Sequence, residues 1–364
     1  MSPSPDAVEA VSQRLNIFLS AQRASADDLG AEGRLFVDAG ATAIGGGKRL
    51  RGRFCIAGWR AVEEASGHPA LPPADVVTAA ASLEVFHAAA LVHDDLIDNS
   101  DTRRGRPAAH RALEAAHRAH GWAGDATAFG RSAAVLLGDL LVAWSDDLLE
   151  EGLAGASAAR AVAARAEYAT MRREVTIGQF LDIAEESAYI TEPDEKHADR
   201  ALRVASLKSA RYSIQQPLAL GGALAGADAA QLAALTAFGH PVGMAFQLRD
   251  DVLGVFGDES ATGKPSGDDL REGKRTVLIA YARERLAPPA RRIVDELIGD
   301  PELDAAQIAS LQRTIVETGA LERVEQLIAE YSRQAERSLS GARLGNAAVG
   351  DLRELARAAT VRTT

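Results

Sequence analysis

The feature that most limits what this chain can fold into is the recurrence of Ala- and Leu-rich segments with helical spacing. Apolar residues return every three or four positions over roughly 5–22, 27–45, 48–66, 73–99, 109–119, 127–151, 157–186, 194–225, 228–256, 273–286, 289–298, 304–319 and 321–339. That spacing lines one face of an α-helix. The alternating Val, Ile and Thr patterns of half-buried strands do not recur. Pro/Gly/Asp clusters such as GHPALPP (67–73) and FGDESATGKPSGDDLREGK (256–274) punctuate the segments. No low-complexity linker divides the chain, and no solenoid period is found. The expectation is one all-α domain over 1–364, with about 1–8 and 355–364 mobile.

Composition narrows the function classes. A net charge of −11 argues against a nucleic-acid partner. The single cysteine, Cys55, excludes an intramolecular disulfide and fits a reducing cytoplasm. The N-terminal stretch MSPSPDAVEAVSQ lacks the basic and apolar regions of a signal peptide. No uninterrupted apolar run reaches about 18 residues, so no membrane span is expected.

The charged clusters carry the chemistry. In LVHDDLIDNSDTRRGRP (91–107), Asp94, Asp95, Asp98 and Asp101 precede Arg103, Arg104 and Arg106. Asp94 and Asp98, four apart, share one helix face, and Asp95 flanks it. A helix C-terminus is the wrong end for negative charge. Alone, such a DDxxD is most often a solvated, frayed helix end. Here it follows the apolar run HAAALV, and carboxylates beside a core are stable when they bind a hard cation. Mg²⁺ takes oxygen ligands and keeps waters and substrate phosphates in its shell. Arginines close by then suit the phosphate oxygens, which guanidinium groups hold bidentately.

A second acidic cluster ends another apolar helix. Asp250 and Asp251 follow MAFQL, and Lys264, Asp268, Asp269 and Lys274 follow on a Gly/Pro-rich stretch. Two clusters of like design suggest facing helices that grip metal ions, as in helix-bundle metal sites. A third element, GGGKRLRGR (45–53), combines glycines with Lys48, Arg49, Arg51 and Arg53 at a helix start. It suits an anion but lacks P-loop spacing. Alone it reads more often as solvated surface.

Together these stretches resemble the trans-isoprenyl diphosphate synthases, the polyprenyl synthetase family. The matching pieces run from GGKRLR at 46 through LEVFHAAALVHDDLIDNSDTRRGRP, LLGDLL (136–141), GQFLDI (178–183), LKSARY (207–212) and GMAFQLRDD (243–251) to GKRT (273–276). The likeness extends over about 230 residues. It implies an isoprenoid synthase-type bundle of antiparallel helices around a central cavity, and a homodimer. It implies Mg²⁺-dependent head-to-tail condensation of isopentenyl diphosphate with allylic diphosphates, using three Mg²⁺ per site. Within the family Asp94 and Asp98 would be the principal ligands of the first motif, with Asp95 assisting. Asp250 would hold the third ion, with Asp251 in support. Arg103, Lys264 and Lys274 would hold the allylic diphosphate; Lys48, Arg51, His87 and Arg104 that of isopentenyl diphosphate. Lys208, Ser209 and Gln247 would lie along the reacting carbons, with Gln179 and Asp182 bracing that layer. Outside such a setting, a lone histidine like His87 in an apolar run is usually a core residue.

The chain departs from the family pattern in places. Gly254 replaces the third acid of the second motif, which weakens the case for a third ligand there. Gly52 stands where Pro is common, and Ser209 replaces Thr but keeps the hydroxyl. In the family an aromatic ring four or five residues before the first motif stops chain growth early. Here those positions are Ala90 and Ala89. Phe86, one turn deeper, is then the next candidate floor, which favours a C20 product, geranylgeranyl diphosphate, over C15. Phe86 as plain core packing, a floor from a neighbouring helix, and a product of C25 or more stay open.

Three other function classes fit the sequence less well. A metal-dependent phosphohydrolase, suggested by His93-Asp94, needs further well-placed histidines, and the chain has 8. A terpene cyclase would leave Lys48, Arg51 and His87 idle. A non-catalytic prenyltransferase subunit should have lost acids or arginines from the first motif, and none is lost.

Overall fold

The computed structural model describes residues 7–68, 71–257 and 266–360. The helices in chain order are α1 (Ala7–Ser25), α2 (Gly30–Ile44), α3 (Leu50–Ala65), α4 (Ala74–Ile97), α5 (Ala109–Ala119), α6 (Ala126–Leu153) and α7 (Ala158–Ala188). Then come α8 (His197–Val204), a π-helical segment (Ala205–Gln215), α9 (Gln216–Ala225), α10 (Ala229–Phe256) and the short α11 (Asp268–Arg271). The chain ends with α12 (Val277–Arg285), α13 (Pro288–Leu297), α14 (Ala305–Glu317), α15 (Ala320–Ser338) and α16 (Asn346–Thr360).

Local chemistry sets many of the boundaries. Asp125 caps α6 by accepting from the backbone of Thr127 and Ala128, and Asp228 forms a capping box with Gln231 at α10. Pro73 and Gly257 bracket α4 and α10 at an entry and an exit. One large apolar core runs through α1, α3, α4, α6, α7 and α9, with Leu83, Leu137, Leu141 and Leu218 fully buried. A second lies among α10, α12, α14 and α15, around Leu248, Leu278 and Val324. The two long apolar helices α4 and α6 have the length and hydropathy of membrane spans. For α4, 78% of the apolar window is buried in protein; for α6 only 28% is, so α6 leaves Val135 and Leu136 exposed.

Two features differ from the sequence expectation. The segment expected as one helix over 194–225 is divided, because residues 205–215 widen to π-helical turns. A two-stranded hairpin, β1 (Thr102–Arg103) with β2 (Arg106–Pro107), follows α4. Its turn, Arg104-Gly105, has positive φ at both residues (53° and 70°), the geometry that closes a two-residue hairpin. Periodicity cannot detect strands this short. The expected mobile ends lie partly outside the described residues. Their described parts are helical, and Ala359 and Thr360 at the end of α16 are buried.

Candidate functional site

The hairpin sends two consecutive arginines to different places. Arg103 turns inward, donating through Nε to Asp95 Oδ1 at 2.7 Å, with Asp94 Oδ2 at 3.5 Å. Burial opposes its charge, but Asp95 and Asp94 hold its pKa above the ordinary value. Arg104 turns outward and donates to Gly45 O at 3.2 Å, lying over Gly47 in the glycine loop. Asp95 is thereby engaged with Arg103 and 3% exposed.

Asp94 and Asp98 share one face of α4, as their spacing requires. Asp94 accepts from Gln179 Nε2 at 3.0 Å and lies 3.4 Å from Lys208 Nζ. Asp98 accepts from Lys274 Nζ at 2.7 Å. Asp182 on α7 sits between the lysines, 2.6 Å from Lys208 and 3.5 Å from Lys274, and Glu186 is 3.1 Å from Lys274. Burial works against both lysines, yet these carboxylates keep both pKa values above the ordinary range. Burial likewise opposes Asp94, but Lys208, Arg103 and Lys274 hold it low. For Asp98 burial and the neighbouring Asp94 charge win, and its pKa rises.

The second acidic motif faces this group across a cavity. The cavity, about 170 Å³, is lined by Asp94, Asp98, Asp182, Asp251 and Asp269 together with Arg103, Lys208 and Lys274. The expectation placed Asp250 first and Asp251 in support. In the structure Asp251 lines the cavity and Asp250, one residue earlier and so about 100° around the helix, is not among its lining residues. Asp251 is 6% exposed and accepts from Gln247 Nε2 at 2.6 Å. Burial, then the charge of Asp269, drives its pKa well up. Asp269 belongs to α11, and its carboxylate fills the space a side chain at Gly254 would take. Lys264 lies outside the described residues.

Below the charged cavity lies an apolar one of about 560 Å³. Phe86, Ala89, Ala90, Val142, Val175 and Phe180 are among its walls. Asp94, Lys208 and Gln247 line both cavities, so the two meet at those side chains. Ser209 also faces the apolar cavity. The π-helical turns carry Lys208 and Ser209 here, and α7 presses against them at Gly178, where a Cβ would lie 2.4 Å from Lys208 N.

The basic elements at the mouth are spread. Arg51 is 8% exposed, donates to Ser213 Oγ at 2.7 Å and stacks over Tyr212 at 4.1 Å. His87 shares Nδ1 with the Tyr212 hydroxyl at 3.0 Å. Burial, then Arg51, Arg104, Arg103 and Arg49, keep His87 neutral by lowering its pKa. Lys48 is exposed at the start of this rim. Sequence reasoning did not find Tyr212, Glu186 or Glu272, and it left Asp269 without a role. Tyr212, Asp269 and Glu272 lie within quoted stretches and Glu186 just beyond one, but only packing shows that they face the site.

No group of three or more His, Cys, Asp or Glu side chains among the described residues forms a ready metal cage. The acids instead stand on opposite walls with lysines between them. This donor set fits a magnesium ion that completes its shell with waters and phosphate oxygens.

Comparisons with known proteins agree with this geometry. The family model described as polyprenyl synthetase matches residues 35–315. The geranylfarnesyl diphosphate synthase of Aeropyrum pernix is 31% identical, covering 81% of this chain and 83% of its own. The nonaprenyl diphosphate synthase of Mycobacterium tuberculosis is 28% identical, covering 81% of this chain and 77% of its own. A crystal structure of geranylgeranyl pyrophosphate synthase from Corynebacterium glutamicum, complexed with isoprenyl diphosphate and magnesium, is 40% identical. It superimposes with a TM-score of 0.91 over 98% of both chains, and the shared fold is the all-α isoprenoid synthase bundle. The relatives' names span several product lengths, but their family is one: this chain belongs to the polyprenyl synthetase family and is a prenyltransferase.

Proposed function

We propose that the enzyme joins isopentenyl diphosphate head to tail to an allylic diphosphate and makes an all-trans product, chiefly C20 geranylgeranyl diphosphate. The observation that carries this is the meeting of a charged and an apolar cavity at Asp94, Lys208 and Gln247. A diphosphate fits above that line and a growing hydrocarbon below it. Asp94 and Asp98 on one wall, with Asp251 and Asp269 on the other, are the residues that would hold magnesium, three ions by the family resemblance. Asp95 and Asp250 would support them. Bound magnesium supplies charge neutralisation to the diphosphate leaving group.

The chain's own residues do the rest. Arg103, Lys274 and, by resemblance, Lys264 hold the allylic diphosphate oxygens, and their positive charge lowers the cost of its departure. The bond between C1 and the bridging oxygen breaks, and the electron pair leaves with the diphosphate. Lys208, Ser209 and Gln247 lie beside the carbon left electron-poor, where the hydroxyl and amide dipoles stabilise it. Lys48, Arg51, His87 and Arg104 orient the second diphosphate. The isopentenyl double bond then supplies the pair for the new C–C bond, and a proton passes from C2 to the released diphosphate. The apolar walls exclude water, which would otherwise quench the cation.

The C20 assignment is supported by alanine at both 89 and 90 with Phe86 beneath them. A homodimer is supported by the apolar residues that α6 and α7 leave exposed, among them Leu136, Ile177 and Phe180. The single buried Cys55 fits a cytoplasmic enzyme. The test is incubation with Mg²⁺, isopentenyl diphosphate and each allylic primer from C5 to C15. Elongated products, separated by chromatography after dephosphorylation, are expected. No elongation with any primer refutes the reading.

A further inference from the structure

Phe86 lines the apolar cavity two helical turns, or about 12 Å, before Asp94 along α4. Phe86 does not stand alone. Its ring meets Tyr212 edge-on at 5.9 Å and Tyr168 edge-on at 6.2 Å. Tyr212 lines the cavity, whereas Tyr168 does not. Tyr168 comes from α7, eleven residues before the Gln179 that touches Asp94, so it lies on the deep side. It is 1% exposed and fully packed.

Polar groups stand around one end of Tyr168. Its hydroxyl lies beside Ser82 of α4 and Ser145 of α6, and burial raises its pKa. Ser82 donates to Ala79 O at 2.7 Å and Ser145 to Val142 O at 2.7 Å. The Tyr168 hydroxyl is left without a well-formed hydrogen bond. The floor beneath Phe86 is therefore a second aromatic ring standing on a cluster of three hydroxyls. A hydrocarbon that passed Phe86 would meet a filled space with polar groups behind it, which apolar carbon cannot satisfy.

Building on the proposed elongation reaction, we infer that Tyr168 is a specificity-determining residue. Phe86 and Tyr168 form a two-layer end wall, and Tyr168 sets the stop when Phe86 is removed. Phe86→Ala is expected to lengthen the main product by one five-carbon unit and no more. Phe86→Ala with Tyr168→Ala is expected to give at least one further unit. Tyr168→Phe in the Phe86→Ala background should keep the shorter limit, since the ring and not the hydroxyl blocks the path.

The experiment measures product distributions at matched conversion for the wild type and these variants, with thermal melts for each. Tyr168→Leu replaces Tyr168→Ala if the double variant does not fold. Equal distributions for Phe86→Ala and the double variant overturn the inference. So does a long product from Phe86→Ala alone. A wild type that elongates no primer overturns the function itself, an outcome distinct from either.

Discussion

Gly254 and Asp269 claim the same volume. A Cβ on Gly254 would lie 2.0 Å from Asp269 Oδ2 and 2.3 Å from its Cγ, closer than any real contact. The acid missing from the third position of DDVLG is thus replaced in space by a carboxylate from α11. The glycine provides room for it. Gly254→Asp is expected to force two carboxylates together, lowering Tm and abolishing elongation. Gly254→Asp with Asp269→Gly should restore the thermal shift given by Mg²⁺ and inorganic diphosphate. A single variant that melts and turns over like the parent would refute the exchange.

That exchange shows where sequence reasoning stops. Asp94 and Asp98 were legible because four residues on a helix fix a shared face. The apolar run before them was legible as a wall for the same reason. Arg103 and Arg104 were assigned to different substrates, and a two-residue hairpin does turn them apart, but the hairpin itself left no periodic signal. Gly254 read as a loss because the chain meets it fifteen residues before Asp269. The π-helical turns at 205–215 read as ordinary helix, because nothing in ASLKSARYSIQ breaks a helical pattern. The hairpin and the π-helical turns were missed because they are local variations without a periodic signal, and the exchange of Gly254 for Asp269 because it depends on contact between separate segments.

Lys274 compensates three carboxylates at once: Asp98, Asp182 and Glu186. Its side chain is 11% exposed. Removing one partner of a buried ion pair costs about 3 kcal/mol or more, because the remaining charges stay buried. Lys274→Met is expected to lower stability on that scale without Mg²⁺. Added Mg²⁺ with inorganic diphosphate should return much of the loss, since a cation replaces the missing charge. Chemical denaturation with and without the ions checks this. An unchanged midpoint for the variant would mean that Lys274 is not the cluster's counter-charge.

Ala89 lines the apolar cavity and is 1% exposed. A phenyl ring there would stand a turn nearer the acids than Phe86 does. Ala89→Phe is expected to move the main product from C20 to C15 or C10 while elongation of the shortest primer continues. Chromatography of dephosphorylated products checks it. An unchanged distribution in a folded variant would mean that the chain does not run along this face of α4.

Gly178 lets α7 touch the backbone that carries Lys208, and a Cβ there would fall 2.4 Å from Lys208 N and 2.7 Å from Leu207 C. Backbone cannot yield as a flexible side chain does. Gly178→Ala is therefore expected to shift the π-helical turns and weaken the placing of Lys208 and Ser209. The fall in kcat should be about 10²-fold, the scale seen when one stabilising group is misplaced. KM for isopentenyl diphosphate should change less, because Arg51 and His87 stand on other helices and meet these turns only at Tyr212 and Ser213, about a turn beyond Lys208. A steady-state comparison separates the two, and a variant with wild-type kcat would show that the contact is slack.

Protonation should tie the acids to the metal. Asp251 and Asp98 have raised pKa values, by burial first and by neighbouring acids second, while Lys208, Arg103 and Lys274 hold Asp94 low despite burial. A raised carboxylate costs stability above its ordinary pKa, and the cost is relieved as pH falls through its folded value. Asp94 has the opposite sign: its contribution is present above its ordinary pKa and is lost on further acidification. A cation between the walls must displace protons from Asp251 and Asp98, so its binding strengthens as pH rises. The Tm increment from Mg²⁺ and inorganic diphosphate is expected to grow as pH rises from the ordinary carboxylate range through neutrality, because both carboxyls titrate above their ordinary pKa. Inorganic diphosphate itself loses protons in that range, so Asp251→Asn is the control. That variant should show a smaller increment and a flatter pH dependence. If the two proteins give parallel curves, Asp251 takes no part in holding the ion.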